Sequence, residues 1–206
     1  MVQTKNKTVA KFISHVKAEC KRLGIRFRFS KYKKVHCGDH ILCGGFFDDI
    51  TKTLAVATGG RTQDQWLALL VHEYNHLLQW SEKSPFWCSD ADGFLQWLEG
   101  KHDKWNAKQL LKFYRRTRDV EWDCERRSIK MIQDWKLPLD LAEYTRQANT
   151  YVGSYAVMMK KRKWMVKSSY SNPHIVKLMP GNRLLTRNEL TNPPTEFMEQ
   201  CLKRCY

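Results

Sequence analysis

The stretch TQDQWLALLVHEYNHLLQWSEK, Thr62 to Lys83, decides how the chain is read. Trp66, Leu69, Leu70, Leu77 and Trp80 recur at helical spacing, and Thr62 stands where an N-cap hydroxyl is wanted. Inside this helix lies His72-Glu73-Tyr74-Asn75-His76, an HExxH motif. Positions i and i+4 share a helix face, so both imidazoles can reach one metal ion. Glu73 then falls beside the metal's open position, where it can accept a proton from a water.

Working outward, residues 6–23 predict an amphipathic helix with Val9, Phe12, Ile13, Val16 and Cys20 on one face. From Ile25 to Phe29 apolar and basic residues alternate, as in an edge strand, and strands are expected over Val35–Cys43 and Leu54–Ala57. Gly38, Gly44–Gly45 and Gly59–Gly60 read as turns or bulges between them. Pro85 to Gly93 reads as a loop and Phe94–Leu98 as a short helix or turn. Residues 104–135 read as helix broken near Thr117, and residues 139–164 as a helix running into the basic KKRK. Pro173, Pro180, Pro193 and Pro194 mark the remainder as an irregular tail. The expected fold is α+β: a small antiparallel sheet packed on the HExxH helix, then a mostly helical C-terminal half. One domain is expected over 1–206, its core at about 25–135, with a basic helix and tail over 139–206.

Composition narrows the classes. At 42% hydrophobic and 12% aromatic residues the chain can bury a core, which excludes a fully disordered protein. No apolar run reaches the roughly 20 residues a membrane helix needs, and the charged N-terminus lacks a signal-peptide core. The seven cysteines form no CxxC pair, so reduced thiols in a cytoplasm are expected. Cys37, Cys43 and Cys88, with His36 and His40 close in sequence, match no standard zinc module and are expected as buried free thiols.

The formal charge is +15, unevenly spread: residues 1–50 and 141–206 each carry +7, whereas residues 51–100, which hold the motif, carry −3. Such a basic shell favours nucleic acid or an acidic protein, and Lys160, Lys161, Arg162 and Lys163 are the candidate nucleic-acid patch. This defines an alternative class, a nucleic-acid-associated protein whose zinc is not catalytic, and a merged one, a peptidase recruited to nucleic acid.

Over about residues 25–130 the chain resembles the zincin metallopeptidases, whose HExxH helix packs beside a small sheet and whose substrate lies along an edge strand. The resemblance implies zinc held by His72 and His76, with Glu73 as general base, and hydrolysis of peptide bonds in an intracellular protein. A third protein ligand is then required. The metzincin continuation is excluded, because Gln79 and Glu82 stand where its Gly and His would be. Gluzincins take the third ligand as a Glu on a later helix, which matches Glu121. Glu125, four residues on, is the second-shell acid or alternative ligand, and Asp119, Asp123 and His102 are next in line. On that helix face Cys124 and Ser128 accompany Glu121 and Glu125. Tyr151 and Tyr155, on the following helix, are candidate oxyanion stabilisers by analogy with other zincins. The Lys- and Trp-rich chain also resembles small phage-encoded proteins, which would place it in a host cytoplasm.

Overall fold

A computed structural model describes residues 4, 6–37, 41–87, 93–101 and 105–206. His40, Cys88 and His102 lie outside the described residues, as does most of the expected loop at 85–93. The architecture is α+β with a helical C-terminal half. The chain divides into two compact units, Met1–Ser84 with Arg127–Leu139, and Pro85–Arg126 with Asp140–Tyr206. Among the described residues no helix is long and apolar enough to cross a membrane.

In the first unit, helix α1 (Lys7–Arg22) is capped by Asn6 and buries Val9, Phe12, Ile13, Val16 and Cys20, the predicted face. Strands β1 (Arg26–Ser30), β2 (Val35–Cys37), β3 (Ile41–Cys43), β4 (Gly45–Asp48) and β5 (Thr53–Ala57) follow. The main sheet has the order β1-β5-β4. It is mixed, which corrects the expected antiparallel sheet: β1 pairs parallel with β5, from Arg26↔Thr53 to Ser30↔Ala57, and β4 pairs antiparallel with it. The reason lies in the connection. The expected strand over Val35–Cys43 is a hairpin of β2 and β3, and β4 runs back beside the line that β5 takes, so β5 enters in the direction of β1. As the central strand, β5 is buried at every position.

Helix α2 (Gln63–Ser81) packs on β4 and β5. Its start is a capping box, Thr62 accepting from the Gln65 backbone while the Gln65 side chain accepts from the Thr62 N–H. Its end is a Schellman motif: Lys83 is left-handed (φ 53), its N–H bonds Trp80 O at 3.1 Å, and the Ser84 N–H bonds Gln79 O at 2.9 Å. Aromatic edges join α1, α2 and the helical segment that ends at Trp135, with Phe12 against Tyr74 and Trp135.

Helix α3 (Gly93–Leu98) opens the described part of the second unit. Helix α4 (Ala107–Trp135) is unbroken, correcting the expected interruption at Thr117. The Thr117 hydroxyl donates to Phe113 O one turn back, so this β-branched residue sits within the helix without opening it. Helix α5 (Leu141–Lys161), capped by Asp140, buries Val152 and Val157. The tail is ordered and largely helical: α6 (Pro173–Val176), α7 (Arg187–Thr191) and α8 (Thr195–Arg204). Ile175, Met179, Leu185, Leu190, Phe197 and Cys201 form a core with α5, while the prolines fall between or at the starts of these short helices.

A single side chain ties much of this tail down. Asn149 is fully buried, donates to Pro180 O (2.8 Å) and Arg183 O (3.0 Å), and accepts from the Leu185 N–H (2.8 Å). Asn149→Ala is expected to cost at least about 2 kcal/mol, because three buried backbone groups lose their partner. Urea denaturation followed by circular dichroism measures this, and an unchanged midpoint would contradict it.

Candidate metal centre

The five motif residues leave α2 at 100° intervals, and each meets a different neighbour. His72 and His76 lie on one face with their Nε2 atoms 3.1 Å apart and their rings edge to face. The Nδ1 of His76 donates to the Gln79 side-chain oxygen Oε1 at 2.8 Å, and Gln79 is itself fully buried. That bond places the proton of neutral His76 on Nδ1 and leaves Nε2 as a lone pair directed toward His72.

This geometry fits a metal. Two nitrogens bound at 2.0–2.1 Å to a tetrahedral ion stand about 3.3 Å apart, close to the separation observed. A hydrogen bond to the remote ring nitrogen is also the arrangement that orients a metal-binding imidazole.

Glu73 is buried and turns toward the sheet. A Cβ placed on Gly45 would lie 3.0 Å from Glu73 Cγ and 3.1 Å from Ala55 O, so the carboxylate side chain rests against the bare backbone at the start of β4. Gly45 therefore opens a strand where the sequence suggests a turn, and its missing side chain makes room for the motif glutamate. Cys43 borders the same carboxylate. Burial first, and then the charge of Glu73, push its thiol up to about 12, so it stays protonated.

The remaining two motif residues fasten the helix. Tyr74 OH meets His15 Nε2 of α1 at 3.1 Å, and burial raises the pKa of its hydroxyl. Asn75 donates to Val71 O (2.9 Å) and to Ser128 Oγ of α4 (3.1 Å). Ser128 lies on the α4 face shared with Glu121, Cys124 and Glu125.

In the second unit the predicted acids have tyrosine partners. Glu125 is buried and accepts from Tyr144 OH at 2.8 Å. Glu121 accepts from Tyr155 OH at 3.5 Å, and Tyr155 OH in turn meets Tyr151 OH at 3.0 Å. Burial, then the Glu121 charge, raise both of these hydroxyls well above the ordinary range, so the two tyrosines are neutral. Asp123 pairs with Arg126 and Asp119 with Arg187. Lys160, Lys161, Arg162 and Lys163 are exposed at the end of α5. Cys20, Cys43, Cys201 and Cys205 are free thiols. Gln79 and Gly45 escape a motif search, since neither belongs to HExxH; the only signal for Gln79 is its place three residues after His76 on an apolar helix.

Compared with models of protein families, with curated proteins and with solved structures, the chain matches none.

If the two imidazoles bind zinc, Gln79→Leu is expected to keep the fold while weakening that binding about 10–100-fold, because the His76 tautomer and ring orientation lose their support. Competition against a chromophoric zinc chelator measures this, and unchanged affinity would show that the bond plays no such part.

Proposed function

We propose that the protein is a zinc-dependent metallopeptidase with His72 and His76 as metal ligands and Glu73 as general base. The observation that carries this reading is the convergence of the two Nε2 atoms, with the His76 tautomer set by Gln79. Two imidazoles suit zinc, which when bound polarises a carbonyl and makes a water acidic near neutral pH. Glu73, one residue from the first ligand, is suited to take that proton and return it to the leaving amine.

The sheet supports a peptide substrate. Among the described residues β4 pairs only with β5, so its other edge can add an extended chain, and Glu73 lies at the Gly45 end of that strand. A closed structural zinc site would leave this glutamate without a task, which favours the catalytic reading over the non-catalytic one.

For the third ligand we propose a side chain of the α4 face that carries Ser128. Cys124, one turn before Ser128, offers a thiol, a common zinc ligand. Glu121, two turns before Ser128 on the same face, is the competing choice.

Purified protein is expected to carry about one equivalent of zinc by elemental analysis, and His72→Ala or His76→Ala to lose it. Cys124→Ala should also lose it while Glu121→Gln retains it; the opposite pattern would make Glu121 the ligand. Glu73→Gln should keep zinc yet lose hydrolysis of a fluorescein-labelled unfolded protein. Gly45→Ala should lower that hydrolysis with zinc retained, since the new methyl group displaces the Glu73 side chain. Zinc-free wild-type protein, or full hydrolysis by Glu73→Gln, would overturn the reading.

A further inference from the structure

From Tyr144 to Asn188 the sequence holds nine Lys or Arg residues and no Asp or Glu. The fold gathers many of these cations at one place. Helix α5 ends with Lys160 and Lys161, and Arg162, left-handed at φ 54, turns the chain. The next segment is then stitched to the end of α8: the Val166 and Lys167 N–H groups both donate to Cys205 O, at 2.9 and 3.2 Å. Tyr206 OH donates to Lys163 O at 2.8 Å, and Lys161 Nζ lies over the Tyr206 ring. Lys203 and Arg204, in the last turn of α8, are thereby brought to the same surface.

The exposed members are Lys160, Lys161, Arg162, Lys163, Lys167, Lys203 and Arg204. Arg183 and Arg187 are paired with Glu189 and Asp119, whereas among the described residues none of these seven forms an ion pair. Between the cations Met165 packs inward, which leaves Trp164 (39% exposed) on the surface with Tyr170 (43%) farther along. An indole among unpaired cations offers a stacking face beside sites for phosphate oxygens.

We propose that this surface of the second unit binds single-stranded nucleic acid, the cations taking phosphates and Trp164 stacking on an unpaired base. A cationic track with interleaved aromatics is the arrangement that holds single strands without reading their sequence. Duplex would engage the cations but offer no open base face to Trp164. An anionic membrane is disfavoured by the helices: α5 and α8 bury their apolar faces in the core, so neither can lie in a bilayer interface.

The test uses the full-length protein and fluorescence anisotropy of a labelled 20-nucleotide oligothymidylate, with a 20-base-pair duplex and phosphatidylserine vesicles alongside. The single strand is expected to bind more tightly than the duplex, with or without a zinc chelator. Trp164→Ala should weaken single-strand binding about tenfold while leaving the duplex unchanged. The quadruple exchange K160Q/K163Q/K167Q/K203Q should reduce the slope of log affinity against log salt by about two to three. The control K7Q/K11Q/K17Q/K21Q, on the exposed side of α1, should leave that slope nearly unchanged. Equal weakening by both quadruple variants would overturn the proposal, as would a Trp164→Ala protein with normal single-strand affinity, or binding to vesicles alone. Because binding is read without the metal, loss of this proposal leaves the peptidase reading intact, and the reverse also holds.

Discussion

Helix α2 carries Glu73, Asn75, His76 and Gln79 into the interior, and the rest of the first unit depends on satisfying them. Each buried polar group left without a partner would cost about 1–3 kcal/mol, a sizeable share of a domain's typical net stability of about 5–15 kcal/mol. The fold answers locally. Gln79 accepts a hydrogen bond from His76, Ser128 accepts one from the Asn75 amide, and the glycine at position 45 makes space for Glu73. Apolar residues at these positions would pack more simply, and a helix that instead supports a cluster of polar groups signals function where its local pattern departs from a plain core helix.

Some of this was legible from the residues alone. The α1 face and the α2 boundaries followed from periodicity and a capping hydroxyl, because both helices bury a single stripe or carry a strong start signal. Strand β4 was hidden, since glycines punctuate turns by default, and only the position of Glu73 explains why one begins a strand. The parallel pairing of β1 with β5 was equally out of reach, because direction depends on how the intervening hairpin folds back, which no local pattern records. The tail reads as irregular because its helices are short and its prolines frequent, yet its apolar residues have a destination in the face of α5. At the candidate centre, HExxH named two imidazoles and a glutamate, while the Gln79 partner emerged only from geometry. On α4 the sequence offered one face with several donors, and helical spacing alone could not rank a carboxylate above a thiol.

The charge distribution has a structural counterpart in each unit. The motif falls in the one acidic stretch of a basic chain, residues 51–100, and its glutamate is buried beside the sheet. In the second unit the acid-free stretch ends in exposed lysines that the C-terminal residues draw together through backbone bonds at Cys205. These are different kinds of chemistry: preorganised polar groups out of water in one case, solvated cations in the other. Ionic strength acts strongly on the second and weakly on the first.

The central claim is that His72 and His76 bind an ion through Nε2. X-ray absorption at the zinc edge of the loaded protein tests it most directly. The account predicts two nitrogen ligands at about 2.0–2.1 Å, both lost in the His72→Ala/His76→Ala double variant. A shell of oxygens with no histidine nitrogens, or a protein that takes up no zinc, would contradict it.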